Sequence, residues 1–138
     1  MGESRRQLLI GIVEEHIENG VGATDWHDIV KKMLSDGDIT DSEIMNYGID
    51  GFHRSIIRPA QKARDGLGRD KYIVTKQGGI RQLHLAEQDD VNRTYWERKH
   101  HVAAASVRLA ILRQQIIDVH GFDPETLADP FAKKDAAA

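Results

Sequence analysis

The sequence predicts a mainly α-helical protein with one small antiparallel β-hairpin, closed by a long C-terminal helix. Three observations predict it. Apolar residues recur at helical spacing from Leu8 through Ala63. Between Lys71 and Leu85, two runs rich in Tyr, Ile, Val and Leu flank the short loop Lys76-Gln77-Gly78-Gly79, the sequence form of paired strands joined by a tight turn. From Val91 to Val119, two seven-residue rows run side by side: Tyr95, Val102, Leu109, Ile116 and Trp96, Ala103, Ala110, Ile117.

From Ser4 to Asn19, Leu8, Leu9, Ile12, Val13 and Ile17 make the buried stripe of a first helix, which ends at Asn19-Gly20 and Gly22. Thr24 or Asp25 is the next N-cap. Trp26, Ile29, Val30, Met33 and Leu34 form the inner face of a second helix that stops before Asp36-Gly37. Thr40-Asp41-Ser42-Glu43 is a capping box, in which hydroxyl and carboxylate each satisfy an orphan backbone N–H, so a short third helix carrying Ile44 and Met45 starts there. Asp50 is expected to cap a fourth helix with Phe52, Ile56, Ile57, Ala60 and Ala63 inside, stopped by Asp65-Gly66-Leu67-Gly68. Pro59 has no N–H for the Ser55 carbonyl and disfavours helical geometry at Arg58, so this helix either kinks there or begins near Ser55 to Arg58. In the hairpin, Tyr72, Val74, Leu83 and Leu85 are expected on one apolar face, with Lys71, Lys76 and Arg81 outside.

These elements divide the chain into residues 1–86, a long helix within 87–121 and a tail, 122–138, that is partly disordered at Lys133-Lys134-Asp135-Ala136-Ala137-Ala138. A stripe of this length either pairs with a second copy, through Tyr95, Trp96, Val102, Leu109, Leu112 and Ile116, or folds back over the first helix. His120-Gly121-Phe122-Asp123-Pro124 ends it, and Leu127 and Phe131 are expected to tuck the tail back.

Composition removes several chemistries. At 138 residues, 40% hydrophobic and 30% charged, the chain suits an ordinary globular core, and it has neither an apolar run of membrane length nor a secretory-type N-terminus. A cytoplasmic protein with no membrane partner is expected. The absence of cysteine excludes disulfides, thiolate catalysis and cysteine-ligated metals. Glu14-Glu15-His16 lacks a second histidine four residues on, His100-His101 point to different sides of a helix, and His16, His27, His53, His84 and His120 are scattered, so no metal site and no cofactor are expected. No serine sits in a nucleophile elbow. Gly66, Gly68 and Gly78-Gly79 fall short of a phosphate-binding loop, and Asp89-Asp90 is a linker pair rather than an acid/base dyad, so the chain is not expected to be an enzyme.

Charge is distributed unevenly. Residues 52–85 hold Arg54, Arg58, Lys62, Arg64, Arg69, Lys71, Lys76 and Arg81 against Asp65 and Asp70, a net of +6, while residues 11–51 hold two lysines against ten acids, a net of −8. A whole-chain charge of −3 therefore conceals a positive segment able to meet phosphates.

The run Arg54-Ser55-Ile56-Ile57-Arg58-Pro59-Ala60-Gln61-Lys62-Ala63-Arg64, its glycine stop and the basic-tipped hairpin resemble the recognition helix and wing of winged helix-turn-helix proteins, over about residues 4–86. The resemblance implies a double-stranded DNA-binding transcriptional regulator, working as a homodimer on inverted repeats. It places Arg54, Ser55, Arg58, Gln61 and Lys62 at the major groove and Lys76, Gln77 and Arg81 at the wing, with Arg64, Arg69 and Lys71 completing the basic face. The chain departs from that pattern at Pro59. The alternative is a protein-interaction module on the same scaffold, whose acidic segment 11–51 meets a basic protein partner. RNA binding is disfavoured, because only Phe52 and Tyr72 near the basic stretch offer rings for bases.

Overall fold

The computed structural model describes residues 2–101 and 107–132. Helix α1 (Gly2–Glu18) is followed by α2 (Trp26–Ser35) and α3 (Asp41–Tyr47). A further helix over residues 49–61 is built from α4 (Ile49–Phe52), a π-helical turn (His53–Ile57) and α5 (Arg58–Gln61). Strands β1 (Tyr72–Val74) and β2 (Ile80–Gln82) pair antiparallel, with Tyr72 opposite Gln82 and Val74 opposite Ile80. Helices α6 (Gln88–His101) and α7 (Val107–His120) complete a mainly helical protein. Among the described residues, no helix is long and apolar enough to cross a membrane.

The local signals explain the helix starts. Asp25 caps α2 by accepting from the His27 N–H at 2.8 Å, and Thr40 and Glu43 form the reciprocal capping box of α3. Asp50 is not a cap. It lies in the first turn of α4, behind Gly48, whose φ of 74° lets the chain turn sharply out of α3.

The helix 49–61 runs through Pro59 without interruption and starts at Ile49, well before it. The chain absorbs it by one wide turn, in which the Arg58 N–H reaches back five residues to the His53 carbonyl. The Ser55 carbonyl, which a residue other than proline at 59 would serve, accepts instead from Arg6 Nε of α1 at 3.1 Å.

Two apolar clusters lie on opposite faces of the hairpin. The first gathers Leu9, Val13 and Ile17 of α1, Ile29 and Met33 of α2, and Phe52, Ile56, Ile57 and Ala60 around Tyr72 and Ile80. The second joins Ile73 and Leu83 to Val91, Tyr95, Leu109, Leu112 and Ile116. Each large side chain so buried contributes about 1.5–3 kcal/mol relative to exposure. The single apolar face expected of the hairpin is therefore corrected. Val74 is 40% exposed, the strand stops at Gln82, and Leu83 turns into the second cluster while Leu85 stays exposed.

The long C-terminal helix is corrected too. Helices α6 and α7 pack against each other and against the hairpin, so Tyr95, Leu109, Leu112 and Ile116 are buried within one chain. Folding back buries the stripe without a second copy. Of the residues expected at a dimer seam, Trp96 is partly buried beside this cluster, and Val102 lies outside the described residues.

The segment 122–132 docks on this helix pair. Arg113 forks onto Asp123 at 2.9 and 2.7 Å, Lys99 and the Tyr95 hydroxyl both donate to Glu125, and Trp96 Nε1 donates to the Pro124 carbonyl at 3.1 Å. These donors hold the Asp123 and Glu125 carboxyls below the usual carboxylate range, and burial in the same corner raises the Tyr95 phenol to about 12. Leu127 is partly buried, Phe131 is exposed, and the stretch 133–138 lies outside the described residues.

The link between Arg6 and Pro59 is testable by a double-mutant cycle in urea. Arg6→Leu orphans a partly buried carbonyl and is expected to cost about 1–2 kcal/mol. In a Pro59→Ala background, whose residue 59 again has an N–H, the same change should cost clearly less. Equal costs in both backgrounds would show that Arg6 does not serve the Ser55 carbonyl.

Candidate nucleic-acid interface

The helix 49–61 turns Phe52, Ile56, Ile57 and Ala60 inward and leaves Arg54 and Arg58 exposed, with Lys62 exposed just past its end. The four-residue spacing keeps these cations near one side of the helix. Among the described residues none of the three makes an ion pair or a side-chain hydrogen bond. Of the other residues expected at a groove, Ser55 and Gln61 are half-buried.

Three rings stand beside this helix. Trp26 stacks on His27 with centroids 3.8 Å apart and meets His53, at the start of the π turn, at 4.6 Å. Asp25 fixes His27 by accepting its backbone N–H and lying 2.8 Å from its Nδ1, and these contacts hold the Asp25 carboxyl below its usual range. Burial, and then the Arg58 guanidinium, pull the His53 pKa below the ordinary histidine value. Trp26 also packs partly buried against the first cluster, as its helical spacing implies, but nothing local in the sequence links positions 26 and 53.

The hairpin tip is held at both ends. Thr24 and Ile80 exchange backbone hydrogen bonds of 2.8 Å, which aligns the tip with the start of α2. Gly79 makes this approach possible, because a Cβ there would lie 2.8 Å from that of Ala23, and Gly78 adopts φ 89° to close the turn. On the other side Asp90 accepts the Lys76 N–H at 2.9 Å, and Arg93 Nη2 reaches the Val74 carbonyl at 3.3 Å. The Lys76 ammonium and the Gln77 amide remain exposed without a partner among the described residues.

Three of the remaining four cations of the basic segment are engaged. Arg69 pairs with Asp65 at 2.8 Å, and Lys71 stands 3.5 Å from Glu14, whose neighbour Glu18 accepts from the Tyr72 hydroxyl at 2.8 Å. Arg81 is half-buried, with its Nε enclosed and unpartnered. Arg64 lies beyond the helix end and donates to Asp70 at 3.3 Å, while Arg98 of α6 donates to the other oxygen of the same carboxylate. Asp70 is only 6% exposed, and its backbone is bonded in both directions by the Gln115 amide of α7, at 3.1 and 2.7 Å. Among the described residues the basic segment thus separates into Arg54, Arg58, Lys62 and Lys76, which are exposed and free, and Arg64, Arg69 and Lys71, which are paired, with Arg81 half-buried and unpaired. Free guanidinium groups can fork onto phosphate or guanine, and free ammonium groups can neutralise phosphate.

Comparison of the chain with protein-family models, with curated proteins and with solved structures finds no match.

This division predicts unequal stability effects. Asp70→Ala leaves two guanidinium groups around a vacated buried site and is expected to cost about 3 kcal/mol in urea denaturation. Arg58→Ala, on an exposed face, is expected to change stability by no more than about 0.5 kcal/mol. Similar costs for both would contradict it.

Proposed function

We propose that this protein binds double-stranded DNA as a transcriptional regulator, using a winged helix-turn-helix arrangement in which the helix 49–61 meets the major groove and the hairpin tip meets the adjacent backbone. The observation that carries this reading is that Arg54, Arg58, Lys62 and Lys76 are exposed and, among the described residues, free of carboxylate partners, while Arg64, Arg69 and Lys71 of the same segment are tied up. The element order supports it: three helical segments precede the helix 49–61, and a hairpin follows, bridged at Ile80 to the residue before α2's cap. In this reading Arg54 and Arg58 read base edges, Lys62 and Lys76 contact phosphates, and the Trp26–His27–His53 stack shapes the edge of the interface. Homodimerisation on an inverted repeat belongs to the same proposal, through surfaces other than the buried α6–α7 stripe.

A docking module for a basic protein is the second reading. Met45, 81% exposed, and Ile49 favour it, standing on α3 and α4 among the exposed acids Asp41 and Asp50.

Selection of bound sequences from a random duplex pool tests the proposal. A consensus is expected, palindromic for a two-fold assembly. On the selected duplex Arg58→Ala should cost about 1–3 kcal/mol and relax one position of the consensus, whereas Lys76→Ala should weaken all sequences alike. Failure to enrich any duplex, together with stoichiometric capture of a basic protein, would favour the second reading.

A further inference from the structure

We infer a binding site for one divalent transition cation between α1 and the turn that joins α2 to α3. His16, on the last turns of α1, faces Asp36 at the C-terminus of α2 and Asp38 two residues later, and one donor atom from each lies within 4.8 Å of the others. The set is invisible to spacing rules, because the imidazole and the carboxylates are twenty residues apart in the chain and meet only when α1 packs on α2.

Three features go beyond an acidic surface cluster. First, one donor is a half-buried imidazole. His16 Nε2 stands 4.0 Å from Asp38 Oδ2, too far for a hydrogen bond, while two donors sharing one ion at about 2.1 Å each stand roughly 3–4 Å apart. Second, the two carboxylates have no lysine or arginine within ion-pair distance among the described residues. The Arg5 guanidinium is committed to the Glu43 carboxylate and to the Asp38 backbone carbonyl, the latter at 2.7 Å. Third, the Asp38 backbone is fixed on both sides, since that contact is joined by the Asp38 N–H donating to the Met33 carbonyl at 2.9 Å. A carboxylate on a fixed backbone is a better-ordered ligand than one on a free loop.

The donor set selects the class of ion. One imidazole with two carboxylates suits a borderline first-row cation such as Zn²⁺, with water completing the shell, whereas Mg²⁺ prefers oxygen donors and keeps its waters. A cavity of about 130 Å³, lined by His16, Asn19, Thr24, Asp28 and Lys32, opens beside the imidazole, with neither Asp36 nor Asp38 in its lining. Binding here would tie α1 to the α2–α3 turn. The site does not depend on the DNA-binding reading, and its test involves no DNA.

The test is calorimetric titration of the tag-free, chelator-treated full chain with Zn²⁺, and separately with Mg²⁺. One equivalent of Zn²⁺ is expected to bind, with Mg²⁺ at least about 100-fold weaker. His16→Ala, Asp38→Asn and the exposed-site variant Asp36→Asn should each weaken Zn²⁺ by about tenfold or more, while His27→Ala leaves it unchanged. Circular dichroism of each variant confirms folding, and Asp36→Asn, altering an exposed side chain, keeps the comparison valid if His16→Ala unfolds. The site is overturned by absent Zn²⁺ binding, by equal affinity for Mg²⁺, by unchanged affinity in Asp36→Asn and Asp38→Asn, or by a loss in His27→Ala as large as theirs.

Discussion

The carboxylate of Asp70 is the constraint on which the two halves of this protein depend. It is buried where the loop leaving the helix 49–61 enters β1, and it is shared by Arg64 from that loop and Arg98 from α6, while Gln115 of α7 brackets its backbone. A buried ion needs this many partners, because desolvation costs several kcal/mol unless hydrogen bonds and opposite charge offset it. The geometry that satisfies Asp70 also fixes where α6 and α7 sit. Their apolar faces then close over Ile73 and Leu83, and the hairpin becomes a partition between two cores.

The same interaction sorts the basic residues. Arg64 is drawn inward to Asp70, and Arg69 and Lys71 find Asp65 and Glu14 near the same loop. Among the described residues, cations before the loop, on the outer side of the helix 49–61, have no such partners, nor does Lys76 at the far end of the hairpin. The π turn fits this pattern. It lets Pro59 lie within the helix while Arg54 and Arg58 stay exposed, and Arg6 of α1 takes the carbonyl that the proline leaves unserved. Charge that looks continuous in sequence is thus divided by the fold into a structural share and a free share.

What was legible in the sequence follows the range of the interactions concerned. The α3 capping box and the α2 cap, at Asp25 rather than Thr24, are set within a few residues and stand where capping chemistry puts them, and Leu9, Val13 and Ile17 of the α1 stripe are buried, whereas Leu8 of that stripe is exposed and Ile10 is buried in its stead. The tertiary outcomes were not legible. The apolar rows of residues 91–119 suit a coiled coil and a folded-back pair equally, and the choice depended on the second face of the hairpin, which a local reading took as solvent-exposed. The wide turn at Pro59 was hidden for the same reason, since its support comes from Arg6, far away in sequence. Of the candidate interface, the helix and hairpin positions of Arg54, Arg58 and Lys76 could be read directly. That Arg64, Arg69 and Lys71 are neutralised could not, because counting charges along a chain does not pair them in space.

The salt dependence of binding to the selected duplex tests the central claim, that four cations are free for DNA while their neighbours are not. Fluorescence anisotropy over a range of salt concentrations gives the slope of log K against log salt, expected near −1.8 per protomer for the two phosphates that Lys62 and Lys76 neutralise, at about 0.9 each. Replacing Arg54, Arg58, Lys62 and Lys76 together should flatten that slope, and replacing Arg69 and Lys71 should leave it unchanged. A slope near zero, or one that Arg69 and Lys71 control instead, would contradict the account.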